Sequence, residues 1–493
     1  MSSTSTSTSS AVGADQGHDD DHWHPQQVAA LAVVAVCGVL VSLTQSILIP
    51  VLGAIQRDLG SSTTGTEWLL TSTLLVAAVS VPVLGRLGDL YGKRRMLLVA
   101  TLALVIGSVI CALADSIGAM IAGRIVTGVS SAAIPLGISL IGQVLPAKRA
   151  GSGIALVSAT LGIGGALGLP LAALVAEHSD YHVLFWICAV GGAAAFAGIW
   201  FALTEVPRFG RGRMDFPGAV LLAAALVSLL LPLAEATTWG WGDPKTIGLL
   251  VLAAVLLAAF VLVERRVASP LVDLVVNARP SLLLTNIASL CVGFALFASF
   301  IGTASYVQAP SSTGYGFGSS VLASGLAMLP SGLAMLALSP VSALLSAKLG
   351  PKITLAIGAT VVALGFLGRI VFTGSFTEIV IWTTVAGAGT GIAYAAMPSL
   401  ILRAAPRDEL AAANGLNTLA RSVGSSLASA IGGTLLAAQT ISLGGFDLPS
   451  LGAYRTLFGI CAGAALLGAL VALVIPTTDR DRAEQDAVAA GAH

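Results

Sequence analysis

Fourteen long apolar stretches dominate this chain of 493 residues and leave it few possible folds. Each is about 20 residues long, which is the length that a helix needs to cross the hydrocarbon core of a bilayer. Lipid offers the backbone no hydrogen-bond partners, so such segments cross as helices. The sequence therefore predicts an all-α polytopic membrane protein with 14 transmembrane helices. Their first residues are expected near positions 28, 67, 96, 117, 152, 183, 216, 247, 282, 321, 353, 378, 411 and 453.

The overall composition excludes most classes of soluble protein. Hydrophobic residues make up 56% of the chain and charged residues 10%, so most of the surface must face lipid or other helices. The net charge of zero gives no general attraction to nucleic acid. All five cysteines fall inside apolar stretches without a CxxC pair, which indicates packing residues rather than disulfides or metal ligands. They are Cys37, Cys111, Cys188, Cys291 and Cys461.

The distribution of basic residues predicts how the chain is oriented. With both termini placed in the cytoplasm, 18 of the 24 Lys and Arg residues fall in cytoplasmic segments and three fall outside. This asymmetry follows the positive-inside rule, so we expect a multi-pass protein of the cell membrane. Residues 1–27 and 477–493 are predicted to be cytoplasmic tails, the first of them disordered. The His and Asp residues between His18 and His24 could bind a divalent metal, but no fold fixes their geometry, and we predict no metal site.

A short polar segment between the second and third stretches combines unusual features. It runs from Gly85 to Arg95 and contains three glycines, four basic residues and one acid. Glycines permit a tight turn, and basic residues hold such a turn in the cytoplasm. The sequence predicts a hinge of eleven residues in which Asp89 lies within reach of these bases or of a helix N-terminus. We expect a conformational latch, whereas a static turn is the simpler interpretation. The latch residues are Gly85, Asp89, Gly92, Arg94 and Arg95.

The chain also repeats itself. Residues 127–135 in the fourth stretch return as residues 390–398 in the twelfth, with five of nine positions identical. A degenerate copy of the hinge occupies residues 343–352, where Ala347 replaces the acid. Parallel six-helix repeats surround a central cavity and move by alternating access, which is transporter architecture. The predicted halves are residues 28–206 and 282–476, joined by a linker with two accessory helices at residues 207–281.

These motifs resemble the major facilitator superfamily. The segment from Gly85 to Arg95 is similar to the signature between helices two and three of that family, and the 14-helix plan is similar to its drug:proton antiporter branch. Trp68 with the following Leu-Leu-Thr, and Arg124 with Gly128, are also similar to that branch. The resemblance implies the major facilitator fold and a secondary exporter of amphipathic drugs, antibiotics or dyes. It also implies a role for Arg124 in coupling or proton transfer.

The chain departs from the antiporter branch at three places. Val41 stands where such exporters often have an acid in helix one, and Thr73 replaces a frequent aromatic in helix two. The antiporter signature of helix five is present only in altered form, from Gly164 to Ala173. The family pattern for proton antiport is therefore incomplete here.

Three arginines fall inside predicted spans, where a cation costs about 2.5 to 3.5 kcal/mol. Arg124 lies about seven residues into the fourth span, and Arg421 about eleven residues into the thirteenth. Because such a cation persists only beside a cavity or a partner, we expect Arg124 and Arg421 to serve coupling or to line the cavity. The alternative for Arg124 is snorkelling or bonding to free carbonyl groups. Arg369 lies nearer an outer end, and we expect it at the membrane interface.

Neutral polar residues inside the spans are the other candidate contacts for a substrate. They can bind a ligand or bridge helices, and bridging is the commoner use. Asn414, Asn417 and Arg421 have spacings that place them on one helical face, which would line the cavity if it faces inward. The candidate cavity residues are Gln45, Asn286, Tyr394, Asn414 and Asn417.

Acidic residues are absent from the centres of the predicted spans, although a buried acid is the usual proton carrier. Each of the 24 Asp and Glu residues lies in a tail, in a loop or within a turn of a span end. Solvated carboxylates at the interface are the simpler interpretation. If protons are coupled, the candidate sites are Glu67, Asp89, Glu235 and Glu378.

A mainly apolar cavity suits lipophilic cargo better than sugars or phosphates. We expect a secondary transporter that exports hydrophobic or amphipathic small molecules, with proton antiport as the coupling and no cofactor. An uptake carrier or facilitator without proton coupling is the alternative. A membrane enzyme or receptor is a remote one, since the chain has no HExxH motif and no nucleotide-binding glycine-rich loop. The expected partners are a small-molecule substrate, protons and the lipid bilayer, with no nucleic acid, and we expect a monomer.

Overall fold

The computed structural model describes residues 24–207, 212–443 and 446–476. Most of the first predicted tail, the tail at 477–493 and residues 208–211 of the predicted linker lie outside these ranges, as does most of the His and Asp cluster that begins at His18. The helices are α1 Pro25–Ser46, α2 Leu48–Asp58, α3 Thr63–Tyr91, α4 Lys93–Ala112, α5 Ile117–Gly128, α6 Ala133–Val144, α7 Ala147–His178, α8 His182–Ala202, α9 Phe216–Ala234, α10 Ala236–Trp239, α11 Pro244–Glu264, α12 Leu274–Asn277, α13 Pro280–Gln308, α14 Val321–Ala337, α15 Ser339–Leu349, α16 Pro351–Val371, α17 Phe376–Ala404, α18 Leu410–Ala438 and α19 Leu451–Val474. Short 3₁₀ helices occupy Val129–Ala132 and Ser311–Thr313, and β1 Thr440–Leu443 pairs antiparallel with β2 Phe446–Pro449.

Thirteen helical segments within the described ranges are long and apolar enough to cross a membrane. Their first residues lie within about three positions of the predicted ones, and the predicted all-α membrane plan is confirmed. The remaining predicted span is α18, a continuous helix of 29 residues. Its length suffices for a span, but its polar residues lower its hydropathy. It packs against α13 and α3 inside the bundle, where lipid does not reach those polar groups.

The predicted hinge of eleven residues is wrong, because α3 continues through it as far as Tyr91. Only Gly92 leaves the helical conformation, with a φ of 116°, and α4 begins at Lys93. This left-handed backbone favours glycine. A Cβ at Gly92 would also lie 2.6 Å from the Cδ atom of Glu205. The turn is therefore one residue long, and the other predicted latch residues lie on the flanking helices: Gly85, Asp89, Arg94 and Arg95.

The internal repeat of the sequence is also visible in the packing of the helices. Gly107 on α4 faces α5, and a Cβ there would lie 2.3 Å from Thr127 Oγ1. At the equivalent place in the second half, a Cβ on Gly365 of α16 would lie 2.6 Å from the backbone nitrogen of Ala386 on α17. Gly350 also precedes α16 with a φ of 84°, as the glycine before α4 does. Small residues let helices approach closely, which is how helices associate in lipid.

The two halves meet mainly along two helix pairs, with further contacts of α6 with α18 and of α7 with α15 and α17. In one pair α3 packs against α18, and in the other α7 packs against α14. Separate clusters of buried apolar side chains fill the interior of each half. The space for a cavity therefore lies along the seam between the halves rather than within either core.

The two accessory helices pack on the outside of this seam. Helix α9 contacts α3 from the first half and α18 from the second, while α11 packs mainly on α9. Only 17% of the most apolar segment of α11 is buried in the protein, so most of this helix faces lipid. The accessory pair thus covers one of the two lines along which the halves meet.

Candidate substrate cavity and hinge-side closure

A cavity of about 410 Å³ lies between the two halves. Helices α1, α3 and α7 of the first half and α13 and α18 of the second contribute most of its wall. The apolar part of the wall includes Leu161 on α7 and Leu296, Phe297 and Phe300 on α13. The polar part consists mainly of Ser, Thr and Gln side chains. This size and this character are those of sites for drug-sized ligands.

Small residues on α7 allow α1 to approach and complete the wall. A Cβ on Gly164 would lie 2.5 Å from the Cβ of Ser42 on α1. The Ser42 hydroxyl donates a hydrogen bond of 2.5 Å to the carbonyl of Leu161, and the Ser46 hydroxyl donates one of 3.2 Å to the carbonyl of Gly164. Gly164 belongs to the altered helix-five signature. It acts here as a close-packing residue beside the cavity.

Arg421 on α18 lines the cavity. Its side chain is only 5% exposed, and Nη2 donates a hydrogen bond of 3.0 Å to Thr418 Oγ1. The guanidinium carbon lies 4.7 Å from the centre of the Tyr394 ring, which is close enough for a cation–π interaction. Nε is buried and has no hydrogen-bond partner. Arg421 and Tyr394, both predicted site residues, are thus brought together at the cavity.

Arg124 on α5 is fully buried outside the cavity wall. Nη1 donates a hydrogen bond of 3.0 Å to the carbonyl of Thr44 on α1, and Nε donates one of 3.4 Å to the carbonyl of Leu69 on α3. The hydroxyl of Thr73 donates to the Arg124 carbonyl at 3.3 Å. This residue therefore ties three helices together through backbone carbonyls, which is the alternative that the sequence left open for it.

The two asparagines of the predicted stripe on α18 do not line the cavity. Asn414 donates hydrogen bonds to Ser139 Oγ at 3.2 Å and to its own helix. Asn417 donates to Asn286 Oδ1 at 3.0 Å and to Ser289 Oγ at 2.5 Å. These bonds bridge α18 to α6 and α13, so the expectation that the stripe faces the cavity is wrong for Asn414 and Asn417, whereas Arg421 of the same stripe lines the cavity. Asn286 on α13 is the partner of Asn417 and is not among the residues of the wall.

Gln45 on α1 does line the cavity, next to Ser131. Its amide nitrogen lies 3.5 Å from Ser131 Oγ, which is a weak hydrogen bond at best. The amide is therefore available to a ligand. Of the five predicted cavity residues, the structure places Gln45 and Tyr394 on the wall and the three asparagines between helices.

Arg369 lies in the last turn of α16, near a span end as predicted, and it is fully buried in the second half. Its guanidinium carbon lies 3.9 Å from the centre of the Phe458 ring and 5.5 Å from that of Phe366. Nη1 donates a hydrogen bond of 3.1 Å to Ser299 Oγ. Aromatic faces attract a cation, so the surrounding rings hold this arginine inside the protein.

We call the end of the bundle at which Gly92 joins α3 to α4 the hinge side. Asp89 closes the space between the two halves at this end. The Asp89 carboxylate is 1% exposed and forms an ion pair of 2.8 Å with Lys93. It also accepts hydrogen bonds from the backbone N–H groups of Ala411 at 3.2 Å and Ala412 at 2.9 Å, in the first turn of α18. A carboxylate at a helix N-terminus is stabilised by the helix dipole. These contacts join the two halves on the hinge side.

Two further contacts close the hinge side beside Asp89. A Cβ on Gly85 would lie 2.9 Å from the carbonyl oxygen of Ala411, so α3 and α18 touch there through their backbones. On α6, the hydroxyl of Ser139 donates a hydrogen bond of 3.3 Å to the carbonyl of Leu410. The halves are thus in direct contact on this side, while the cavity lies deeper, towards the far side of the bundle.

Arg94 and Arg95 make their contacts within the first half. The Arg94 N–H donates to Glu205 Oε1 at 3.1 Å, and its Nη2 donates to the carbonyl of Trp200 at 2.6 Å. Arg95 Nε lies 3.9 Å from Glu205 Oε2. These residues fasten α4 to the end of α8 and do not contact the other half.

The remaining predicted acids occupy helix ends. Glu235 is buried at the C-terminus of α9, and burial together with the nearby Glu67 carboxylate raises its pKa. Glu378 accepts hydrogen bonds from the N–H groups of Gly374 at 2.9 Å and Ser375 at 3.2 Å, and so completes a capping box at the start of α17. Glu378 therefore has a structural partner, whereas Glu235 has the Glu67 carboxylate as a neighbouring like charge.

Sequence reasoning missed several residues of these sites. Phe297, Phe300 and Gln308 line the cavity from α13, and no local pattern separates them from other residues of an apolar helix. Glu409 precedes α18 on the hinge side, where burial and the Asp273 carboxylate raise its pKa to about 7. Arg86 on α3 lowers that pKa in part. The position of Arg86 in the glycine-rich segment was visible in the sequence, but its proximity to Glu409 was not.

Comparison with known proteins establishes the family of this chain. The sequence profile of the Major Facilitator Superfamily matches residues 34–329 and residues 295–491. The chain belongs to the Major Facilitator Superfamily. The resemblance seen in the sequence is thereby confirmed, and this member of the superfamily is a multi-pass membrane transporter for a small molecule and not an enzyme.

Several relatives in this superfamily are named as resistance proteins. The chain is 28% identical over 413 residues to the tetracenomycin C resistance and export protein of Streptomyces glaucescens, covering 83% of this chain and 76% of that protein. It is 28% identical over 390 residues to multidrug resistance protein Stp of Mycobacterium tuberculosis, covering 78% and 71%. It is 30% identical over 420 residues to an uncharacterised transporter of the same organism and spans 58% of the length of that protein.

The fold is also similar to that of a solved transporter. The crystal structure of the human organic anion transporter MFSD10 matches with a TM-score of 0.67 and 15% identity, covering 91% of this chain and 100% of that chain. At this level of identity the similarity shows the fold alone. It supports the major facilitator architecture for the bundle described above.

Proposed function

We propose that this transporter exports hydrophobic or amphipathic small molecules, such as drugs, antibiotics and dyes, across the cell membrane. The observation that carries this proposal is the cavity of about 410 Å³ between the halves, with a wall that is mainly apolar. Such a cavity suits lipophilic cargo of drug size. The resistance and export proteins that the chain resembles support the same direction of transport.

The proposed mechanism is alternating access by rocking of two halves, residues 28–206 and 282–476, with the segment 207–281 supplying the accessory helices. The contacts of Asp89 with Ala411 and Ala412 join the halves on the hinge side. Breaking them would open that side to the cavity, so Asp89 acts as the latch between two states. Gly85 and Gly92 provide the close approach and the turn, while Arg94 and Arg95 keep α4 fixed within its half.

We further propose that transport is coupled to antiport of protons. Asp89 and the acid pair Glu67 and Glu235 are the candidate carriers, since each is buried or close to another charge. Arg124 and Arg421 are the candidate coupling residues. In this proposal the protein is a monomer with both termini in the cytoplasm, and residues 1–27 and 477–493 are its tails.

Inverted membrane vesicles test both parts of this proposal. The probe is a lipophilic fluorescent dye, and its uptake into vesicles corresponds to export from the cell. We expect uptake to require the protein and to fall when an ionophore collapses the pH gradient. Vesicles without the protein are the control for passive entry. Absence of protein-dependent uptake for every dye of a broad panel contradicts export of lipophilic molecules.

A facilitator without proton coupling is the second candidate, because no carboxylate lines the cavity among the described residues. In the same vesicles this candidate predicts uptake that is unchanged by the ionophore. Equal uptake with and without a pH gradient would therefore retain the transporter and remove the antiport.

A further inference from the structure

Among the residues that the structure describes, Arg421 is the one charged side chain on the cavity wall. It lies on α18, and its side chain is 95% shielded from solvent. A buried cation is costly unless a partner compensates its charge. The nature of that partner therefore limits which substrates the cavity accepts.

The neighbours of Arg421 do not neutralise it. Thr418 accepts one hydrogen bond, and Tyr394 presents its ring face at 4.7 Å, but both groups are neutral. Nε has no hydrogen-bond partner. None of the ion pairs described, such as those of Asp89 with Lys93 and of Arg95 with Glu205, includes Arg421. A positive charge with an unused donor thus remains beside the cavity.

The chemistry of this arrangement favours an anionic ligand. A guanidinium group is planar and matches carboxylate, sulfonate or phosphate oxygens with paired hydrogen bonds. These bonds gain strength where water is excluded. A cationic ligand would meet repulsion from the same group, and no carboxylate on the wall would offset it. The cavity is therefore electrostatically matched to negative charge.

The rest of the wall indicates what the anion is attached to. Phe297 and Phe300 on α13 and Leu161 on α7 contribute apolar surface. Gln45 and Gln308 are amide side chains on the same wall. A ligand with an aromatic or aliphatic body and a single acidic group would satisfy both parts of this wall.

We propose that the cavity selects lipophilic organic anions, with Arg421 binding the acidic group and the apolar side chains of α7 and α13 binding the body. This inference rests on the proposed export function and specifies its substrate class. The ring of Tyr394 lies against the guanidinium, and the hydrogen bond to Thr418 fixes its orientation.

A matched pair of fluorescent probes tests the proposal. Anilinonaphthalene sulfonate carries a sulfonate, and phenylnaphthylamine has the same rings without it. Their dissociation constants are measured by equilibrium dialysis against the purified protein in lipid nanodiscs, with empty nanodiscs subtracted. We expect the sulfonate to bind at least about tenfold more tightly than the neutral probe, since a hydrogen bond to a charged group contributes that much or more.

Variants separate the charge of Arg421 from its packing. Arg421→Gln should weaken sulfonate binding about tenfold and change binding of the neutral probe less than about twofold. Arg421→Lys keeps the charge and should keep the preference for the sulfonate. Arg455→Gln removes an exposed arginine that does not line the cavity, and this control should bind both probes as the unmodified protein does.

Two results would overturn the anion site. One is equal affinity of the unmodified protein for both probes, and the other is an equal loss of both probes in Arg421→Gln and Arg421→Lys while the protein stays folded. Uptake of both probes into inverted vesicles reports separately on export. If neither these probes nor any dye of the broad panel is transported while the sulfonate preference in binding persists, the export function is wrong and the anion site stands.

Discussion

Replacing Asp89 with Asn removes the charge of the latch and keeps its shape. The hydrogen bonds to Ala411 at 3.2 Å and Ala412 at 2.9 Å cross between the halves, whereas the ion pair with Lys93 lies within one half. The cost of leaving Lys93 unpaired is therefore common to both states and cancels in their ratio. Only the contacts with α18 change the balance between the closed and the open hinge side.

The size of this change follows from the geometry. An asparagine oxygen can accept from one of the two N–H groups, so one hydrogen bond and the charge at the helix N-terminus are lost. A hydrogen bond to a charged group contributes about 1.5 to 3 kcal/mol, and a charge near a helix terminus contributes up to about 2 kcal/mol. Because the two effects overlap, we expect a net change of about 2 kcal/mol. This corresponds to an approximately 30-fold shift towards the open hinge side.

Distance measurements between spin labels detect this shift. Tyr91 at the end of α3 and Arg407 before α18 are both exposed and lie in different halves. The five native cysteines are buried and free, so labels can be placed on Tyr91→Cys and Arg407→Cys. Double electron–electron resonance should show a larger population of long distances in Asp89→Asn, and vesicle uptake should fall. Asp115→Asn, which changes an exposed acid elsewhere, is the control.

An unchanged distance distribution in Asp89→Asn, with unchanged uptake, would refute the latch. Loss of uptake without a change in distances would place Asp89 in another step, such as proton transfer. In either case the contacts with Ala411 and Ala412 would be packing contacts rather than a conformational switch.

Three other substitutions test a hinge-side acid, a buried pair of carboxylates and the close packing of α4 on α5. The raised pKa of Glu409, about 7, means that its neutral form is preferred while the hinge side is closed. The closed population should therefore fall as pH rises through about 7, and Glu409→Gln should remove this dependence in the same distance measurement. Glu264 and Asp215 are buried carboxylates that both lie beside Gly218, so Glu264→Gln should raise the melting temperature by relieving their repulsion. Gly107→Val should cost at least about 2 kcal/mol by forcing α4 away from Thr127, and should abolish a monodisperse peak in size-exclusion chromatography.

Each of these expectations has a clear contrary result. A closed population that does not vary between pH 6 and pH 8 would mean that Glu409 keeps its ordinary pKa in this state. A lower melting temperature for Glu264→Gln would show that the Glu264 carboxylate has a favourable partner. Normal stability of Gly107→Val would show that α4 and α5 can separate without loss. Gly118→Val is a matched control, because a Cβ there would meet nothing within 4 Å.

The positions of the spans could be predicted from the sequence because lipid imposes a strict requirement. A helix must present about 20 apolar residues to cross, and that requirement is local in the chain. Residues 127–135 and 390–398 likewise showed the repeat directly, and the family profile confirms the resemblance that the glycine-rich segment suggested. Helix α18, whose start was also predicted, is the exception to this apolar requirement, since its polar residues contact protein and not lipid.

The orientation of individual side chains could not be predicted in the same way. Asn417 and Arg421 are four residues apart on α18, yet Asn417 bonds to α13 while Arg421 faces the cavity. A face of a helix is wide enough to contact two neighbours, and the rotation of the helix decides which residue meets which. Arg369 shows the same limit, because only the rings around it explain why it is buried.

The sequence by itself determined the class of the protein, the approximate positions of its apolar spans, the internal repeat and the segment that contains Asp89. These features depend on composition and spacing, which are properties of the chain. The tertiary structure alone decided that the turn is a single glycine, that Asp89 binds the first turn of α18 and that Arg421 is the charge on the cavity wall. The contact of Asp89 with α18 joins residues more than 300 positions apart, and no local pattern encodes such a contact.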